Sequence, residues 1–200
     1  MGKSGKNQQI LKTISLLRTS RLRPLRDVAL FGLLIVGFHF FFRFWAYQLH
    51  YWPVHDFINT VYEPLTQLLY DNSVWVLKHF TSYDYTYLPD KREIWYMPGY
   101  GYVGVHYGCS GLKQFLQWIV LMTFFPGPWK KKLWFIPLGL IVIHLVNVFR
   151  ITGLSVVVIY LPDYWKFTHD YIYRPFFYVV MFLLWVWWVE KFRNKAKQNK

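Results

Sequence analysis

The stretch 133–161, LWFIPLGLIVIHLVNVFRITGLSVVVIYL, decides the class of this chain. Its 29 residues carry one formal charge, Arg150. About 20 apolar residues cross a hydrocarbon core ~30 Å thick, so the run is a membrane span with length to spare. Its far part must tilt, break or leave the bilayer, and Gly153 is the expected break. Three more apolar runs lie around it, at 28–49, 112–125 and 171–189. The expected fold class is all-α: a polytopic integral membrane helical bundle of about four transmembrane helices plus a surface amphipathic helix.

Composition agrees. The chain is 54% hydrophobic and only 16% charged, where soluble domains carry roughly 25% charge. The net charge of +13 is gathered into clusters: seven basic residues in the first 26 positions, Lys130-Lys131-Lys132, and five after Glu190. Each cluster flanks an apolar run, as cytoplasmic flanks do. The charge therefore does not read as nucleic-acid binding, since no reading motif is present and little soluble mass could host one.

The expected organisation is a cytoplasmic basic amphipathic segment at 1–27, a single transmembrane domain at 28–190 with an external loop at 50–107, and a cytoplasmic basic tail at 191–200. In the first segment Ile10, Leu11, Ile14, Leu17 and Leu22 share a helical face ringed by arginines, suited to an anionic inner leaflet, and Pro24 ends it. No small-residue cleavage site follows the first span, which reads as an anchor with Arg43 snorkelling at its far end. Both termini lie inside in this topology, and the protein sits in the cytoplasmic (inner) membrane. A fifth span within 54–80 would put the triple lysine outside. Trp185, Trp187 and Trp188 read as an interfacial belt.

The external loop holds six of the ten acidic residues. Within it Phe57, Ile58, Val61, Leu65, Leu68 and Leu69 have helical spacing, as in an amphipathic surface helix. Gly99, Gly101, Gly104 and Gly108 alternate with tyrosines as a loop of unusual backbone freedom. It lacks the Gly-Lys-Ser/Thr ending of a phosphate loop.

The chemistry centres on the only cysteine, in Gly108-Cys109-Ser110-Gly111-Leu112. Cys109 lies 17 residues before Pro126, Arg150 lies 17 after Leu133, and His169 lies 21 before Glu190. At ~1.5 Å per residue they stand ~26, ~26 and ~31 Å from the inner boundary, so all three converge on the outer interface. A thiolate is a nucleophile favoured at a helix N-terminus or beside a cation. Lys113 stands one turn from Cys109 on the same face. His169 suits proton transfer, and Arg150 suits a carboxylate or a developing oxyanion. The bland readings are an inert apolar cysteine, a snorkelling arginine and a loop histidine. His106 and Cys109 lack the further ligands of a metal site. The polar stripes Ser110-Gln114-Gln117 and His144-Asn147 suit hydrogen bonds between spans, or the lining of a cleft beside the reactive residues.

The Cys109-Ser110-Gly111 box, Arg150 closing a later helix and His169 before a final aromatic-rich span together resemble the exosortase/archaeosortase family over roughly residues 95–190. The resemblance implies a membrane cysteine protease or transpeptidase that cuts C-terminal sorting signals from exported proteins at the outer face and passes the new carboxyl end to a surface acceptor. It implies Cys109, Arg150 and His169 as catalytic residues, no cofactor and no metal. Its partners are an exported protein substrate and membrane lipid. With fewer spans than the longer members, the chain is similar to the short Bacteroidetes-type forms, which leaves open transfer against cleavage alone and dependence on a membrane partner subunit. The alternatives are a non-catalytic membrane subunit of an export or envelope polysaccharide assembly system, and a lipid or sugar acyltransferase relaying through the thiol.

Overall fold

Backbone polar groups find no water in a hydrocarbon core, so a run such as 133–161 must close its own hydrogen bonds as a helix. The computed structural model describes residues 3–96 and 101–193, with side chains over 25–96 and 101–192. In it the run is one unbroken helix, α4, Trp129–Tyr160, 32 residues and about 48 Å long. Gly153 does not break it. A Cβ there would collide with the Tyr173 hydroxyl, so this glycine lets the last helix approach α4. Gly139 admits the Trp118 indole in the same way. Close approach through small residues is the usual packing currency between helices in lipid.

Among the described residues, three helices are long and apolar enough to cross a membrane: Leu25–Tyr47, Trp129–Tyr160 and Pro162–Phe192. The first is the end of α1, Lys3–Tyr47. The expected stop at Pro24 is absent: the α1 backbone runs through it, although an interior proline loses one helix bond and crowds the carbonyl four residues back. The apolar face expected at 10–22 lies on side chains outside the described residues, as do tail residues 194–200. The last crossing helix contains α5, Trp165–Phe167, a π-helical turn, Thr168–Tyr173, and α6, Arg174–Trp188. Between them, α3, Leu112–Phe124, has 13 residues and spans about 20 Å, short of a hydrocarbon core.

At one end of the bundle Trp118, Phe125, Phe135, Trp185 and Trp188 form a buried core. Trp185 and Trp188 therefore do not form the expected belt; of the three, Trp187 alone is exposed. The same end carries the exposed Arg26, Lys130, Lys131 and Lys191. Lys132 turns inward instead, and its ammonium donates to the carbonyls of Thr123 and Phe125 at 3.0 and 2.8 Å, satisfying the open end of α3.

At the other end α2, His55–Phe80, packs on α4 with Ile58, Thr66, Leu69, Tyr70, Ser73 and Leu77 buried; the helix is the one expected, but of its expected apolar face Ile58 and Leu69 are buried while Phe57 and Leu68 are exposed. Asn72 reaches His144 midway along α4 at 2.8 Å. Beyond α2 the structure holds an element the sequence reading lacked, an antiparallel sheet β1-β2-β3, Tyr85–Leu88, Glu93–Tyr96 and Gly101–Gly104. Ile94 pairs with Val103 on the face buried against α4, while Trp95 and Tyr102 stack on the opposite face. Gly101 and Gly104 are thus strand residues; a Cβ on Gly101 would come within 2.6 Å of Val158. Gly99 and Tyr100 lie outside the described residues.

Candidate active site

The sheet and α2 fix the turn that carries Cys109. Glu63 of α2 accepts from Arg92 at 2.7 Å and from Tyr107 at 2.9 Å. Arg92, then Tyr107, holds its carboxyl below the ordinary carboxylate range. The chain then makes a 3-10 turn, Tyr107–Cys109, in which the Cys109 amide donates to the His106 carbonyl at 2.8 Å. Gly111 follows at φ +85°, a left-handed conformation that glycine adopts without steric cost. A Cβ there would stand 3.0 Å from the Asn147 amide nitrogen. The small residues after the cysteine therefore let α3 begin hard against α4.

Cys109, Arg150 and His169 meet at this point. Arg150 Nη2 lies 3.2 Å from Cys109 Sγ and 3.5 Å from His169 Nε2, so one guanidinium nitrogen is within reach of both. Arg150 is buried at 7% exposure, and its Nε has no partner among the described residues. A buried cation with an unspent donor is costly to keep in an apolar helix, which makes this a site requiring an explanation.

Asn147, one turn before Arg150, donates from Nδ2 to the Cys109 carbonyl at 2.6 Å and accepts from Arg150 Nη1 at 3.5 Å. It is fully buried. One amide thus ties the cysteine turn and the arginine to the same face of α4. The polar stripe of α4 was legible in the sequence, though not its two partners at this position.

His169 has supports that sequence reading missed. Its Nδ1 donates to Asp170 at 2.7 Å, and Arg174 pairs with the same carboxylate oxygen at 3.2 Å. That bond fixes the proton on Nδ1 and leaves Nε2 facing Arg150. Trp165, one turn earlier, stacks on the imidazole at 5.2 Å and 7°. The sequence cue was a Trp four residues before, and an Asp directly after, the histidine. Lys113, expected beside the thiol, is directed to α1 and lies 3.0 Å from His39 Nδ1. Ser110 Oγ accepts from the Leu112 amide at 3.3 Å, and Gln117 donates to the Ile35 carbonyl at 2.9 Å.

The arrangement offers a thiol, a donor aimed at it, and an imidazole with one nitrogen fixed by a carboxylate. These are the elements of nucleophilic acyl transfer. Comparison with known proteins adds one match, to the family model described as transmembrane exosortase (Exosortase_EpsH), over residues 18–186. No curated protein and no solved structure matches the chain. The match takes in the cysteine turn, α4 and most of the final helix, and the chain belongs to the transmembrane exosortase family.

Proposed function

We propose that this exosortase-family chain is a membrane cysteine peptidase that cleaves the C-terminal sorting signal of exported proteins through a thioester on Cys109. The observation that carries the reading is Arg150 Nη2 within hydrogen-bond distance of both Cys109 Sγ and His169 Nε2. His169 Nε2 takes the thiol proton, and Sγ adds to the scissile carbonyl carbon. The carbonyl oxygen becomes an oxyanion, and Arg150, the donor nearest the sulfur, stabilises it. As the intermediate collapses the C–N bond breaks, and the proton on Nε2 goes to the leaving amine. Water, or a nucleophile on a surface acceptor, then attacks the thioester, giving up its proton to Nε2 and freeing Sγ. Asp170 keeps the imidazole in the tautomer this cycle needs.

The basic residues Arg26, Lys130, Lys131 and Lys191 gather at the bundle end opposite Cys109, which supports cytoplasmic termini and a site near the outer face of the inner membrane. A non-catalytic assembly subunit would keep its function when the sulfur is lost. Cys109→Ala and Cys109→Ser should both abolish processing while the protein accumulates normally. Serine is far less ionised than a thiol at neutral pH, so a serine variant with most of its activity would refute the nucleophile.

A further inference from the structure

The strand that leads into the cysteine turn has an open edge. In the sheet order β1-β2-β3, β3 pairs with β2 on one side only. The Val105 amide, just past β3, donates to the Arg92 carbonyl at 2.9 Å, on the β2 side. The Gly104 carbonyl shares a trans peptide plane with that amide and so points the opposite way. In an antiparallel ladder the direction alternates residue by residue. Gly101 and Val103 therefore spend their backbone groups on Tyr96 and Ile94, while the N–H and C=O of Tyr102 and Gly104 face away from the sheet. None of these four groups is hydrogen-bonded among the described residues.

An open edge is a template for another chain, and proteins guard it with proline, lysine or a bulge. β3, Gly-Tyr-Val-Gly, carries no such residue, and its register with β2 is continuous. The exposed Asp90 and Lys91 in the turn between β1 and β2 place the sheet in water, and an open edge is not tolerated in hydrocarbon. Two donors and two acceptors at strand spacing match one kind of occupant, an extended main chain. From Gly104 the chain reaches Cys109 through two extended residues and the 3-10 turn. That path is at most about 13 Å, or about four residues of extended peptide.

We infer that the free edge of β3 binds the main chain of the exported substrate ahead of the scissile bond, as a fourth strand parallel to β3. The direction follows because β3 and the acyl part of the substrate both run toward Cys109. One substrate residue in two spends its N–H and C=O on Tyr102 and Gly104. The stacked rings of Trp95 and Tyr102 floor the sheet face beside it. The inference rests on the peptidase reading, but its test measures capture at the thiol rather than cleavage, so the two fail separately.

The test uses the purified full chain in an uncharged detergent and follows alkylation of Cys109, its one cysteine, by intact mass. The probes are an eight-residue acetyl-peptidyl chloromethyl ketone of alternating threonine and alanine, two analogues N-methylated at residues 1, 3 and 5 or at 2, 4 and 6, and chloroacetamide, which has no strand. With rates corrected for reactivity toward free cysteine, the parent peptide should label at least about 30-fold faster than chloroacetamide. One analogue should be slowed about 25-fold, for two lost bonds at roughly fivefold each, and the other less than about threefold. Gly104→Pro removes one outward donor and no ladder bond, a position where an edge strand accepts proline. It should slow the parent peptide about fivefold and leave chloroacetamide unchanged. Gly104→Ala keeps the N–H, and its Cβ, 2.8 Å from His106 Nε2, meets only the tip of an exposed side chain; it should label like wild type. If Gly104→Pro fails to fold, the two analogues decide the matter on the wild-type chain. Equal rates for the two analogues, or a parent peptide no faster than chloroacetamide, would overturn the inference. So would a dimer that Gly104→Pro dissolves, which would give the edge to a second copy of the chain.

Discussion

Removing the Asn147 side chain gives a graded test of the site, because its amide joins the nucleophile's turn to the arginine. Asn147→Ala deletes the 2.6 Å bond to the Cys109 carbonyl and the longer contact from Arg150. A buried hydrogen-bond partner left unsatisfied costs about 1–3 kcal/mol. The contact from Arg150 is at the limit of bonding distance and adds little. If about 2 kcal/mol of this falls on holding Sγ and the guanidinium in register, processing should slow about 30-fold, at 1.36 kcal/mol per decade. Asn147→Asp separates the two contacts, since a carboxylate still accepts from Arg150 but presents an oxygen, not a donor, to the Cys109 carbonyl. It should be at least as damaged as Ala. The assay is kcat and KM for release of a sorting-signal peptide at matched accumulation. The loss should fall on kcat, because both contacts of the amide are to the residues that carry the chemistry, Cys109 and Arg150. Processing by Asn147→Ala within twofold of wild type would refute the reasoning.

Arg150→Lys should be nearly as impaired as Arg150→Ala, with losses of ~10²–10³ in rate, because one flexible ammonium cannot serve both Sγ and Nε2 as the planar guanidinium does; Arg43→Lys should process normally, and near-normal processing by Arg150→Lys would return Arg150 to an anchoring role. Glu63, held below its ordinary value near 4.5 by Arg92 and Tyr107, contributes stability that is fully present above that ordinary value and is lost as pH falls through its lower folded value. The melting temperature of wild type should therefore exceed that of Glu63→Gln at pH 6, and the gap should close below pH 4.5; a gap constant down to pH 3 would contradict the tie between α2 and the cysteine turn. Gly153→Ala should cost about 1–3 kcal/mol through overlap with Tyr173, and Tyr173→Phe should restore part of it; no rescue in thermal melts would locate the strain elsewhere.

The apolar runs and charge clusters made the membrane bundle legible, because span length and flanking charge are set by the bilayer. The convergence of Cys109, Arg150 and His169 was legible too, since a helix in lipid converts residue number into depth. What escaped were features that depth does not encode. The sheet escaped because its strands have four residues each, too few for alternation to outweigh a tyrosine- and glycine-rich composition. Gly153 read as a break because a glycine signals chain freedom and close packing by the same letter; only Tyr173 distinguishes them. Trp185 and Trp188 read as a belt because depth fixes their level in the membrane but not which way they face. Asp170, Trp165 and Arg174 were invisible as a group for a related reason. Their spacing around His169 is ordinary helix spacing, and only the contacts show that Trp165 and Asp170 meet the imidazole while Arg174 meets Asp170.

The claim at the centre is that the sulfur of Cys109 carries the acyl group. The most direct measurement is intact-mass and peptide-level mass spectrometry of the chain quenched in acid during turnover of a sorting-signal substrate, with and without hydroxylamine. A thioester adduct on the Cys109 peptide, released by hydroxylamine as the substrate's new C-terminal hydroxamate and absent from Cys109→Ala, is the expected result. Continued processing by Cys109→Ala, or turnover with no adduct on Cys109 and no hydroxamate, would contradict it.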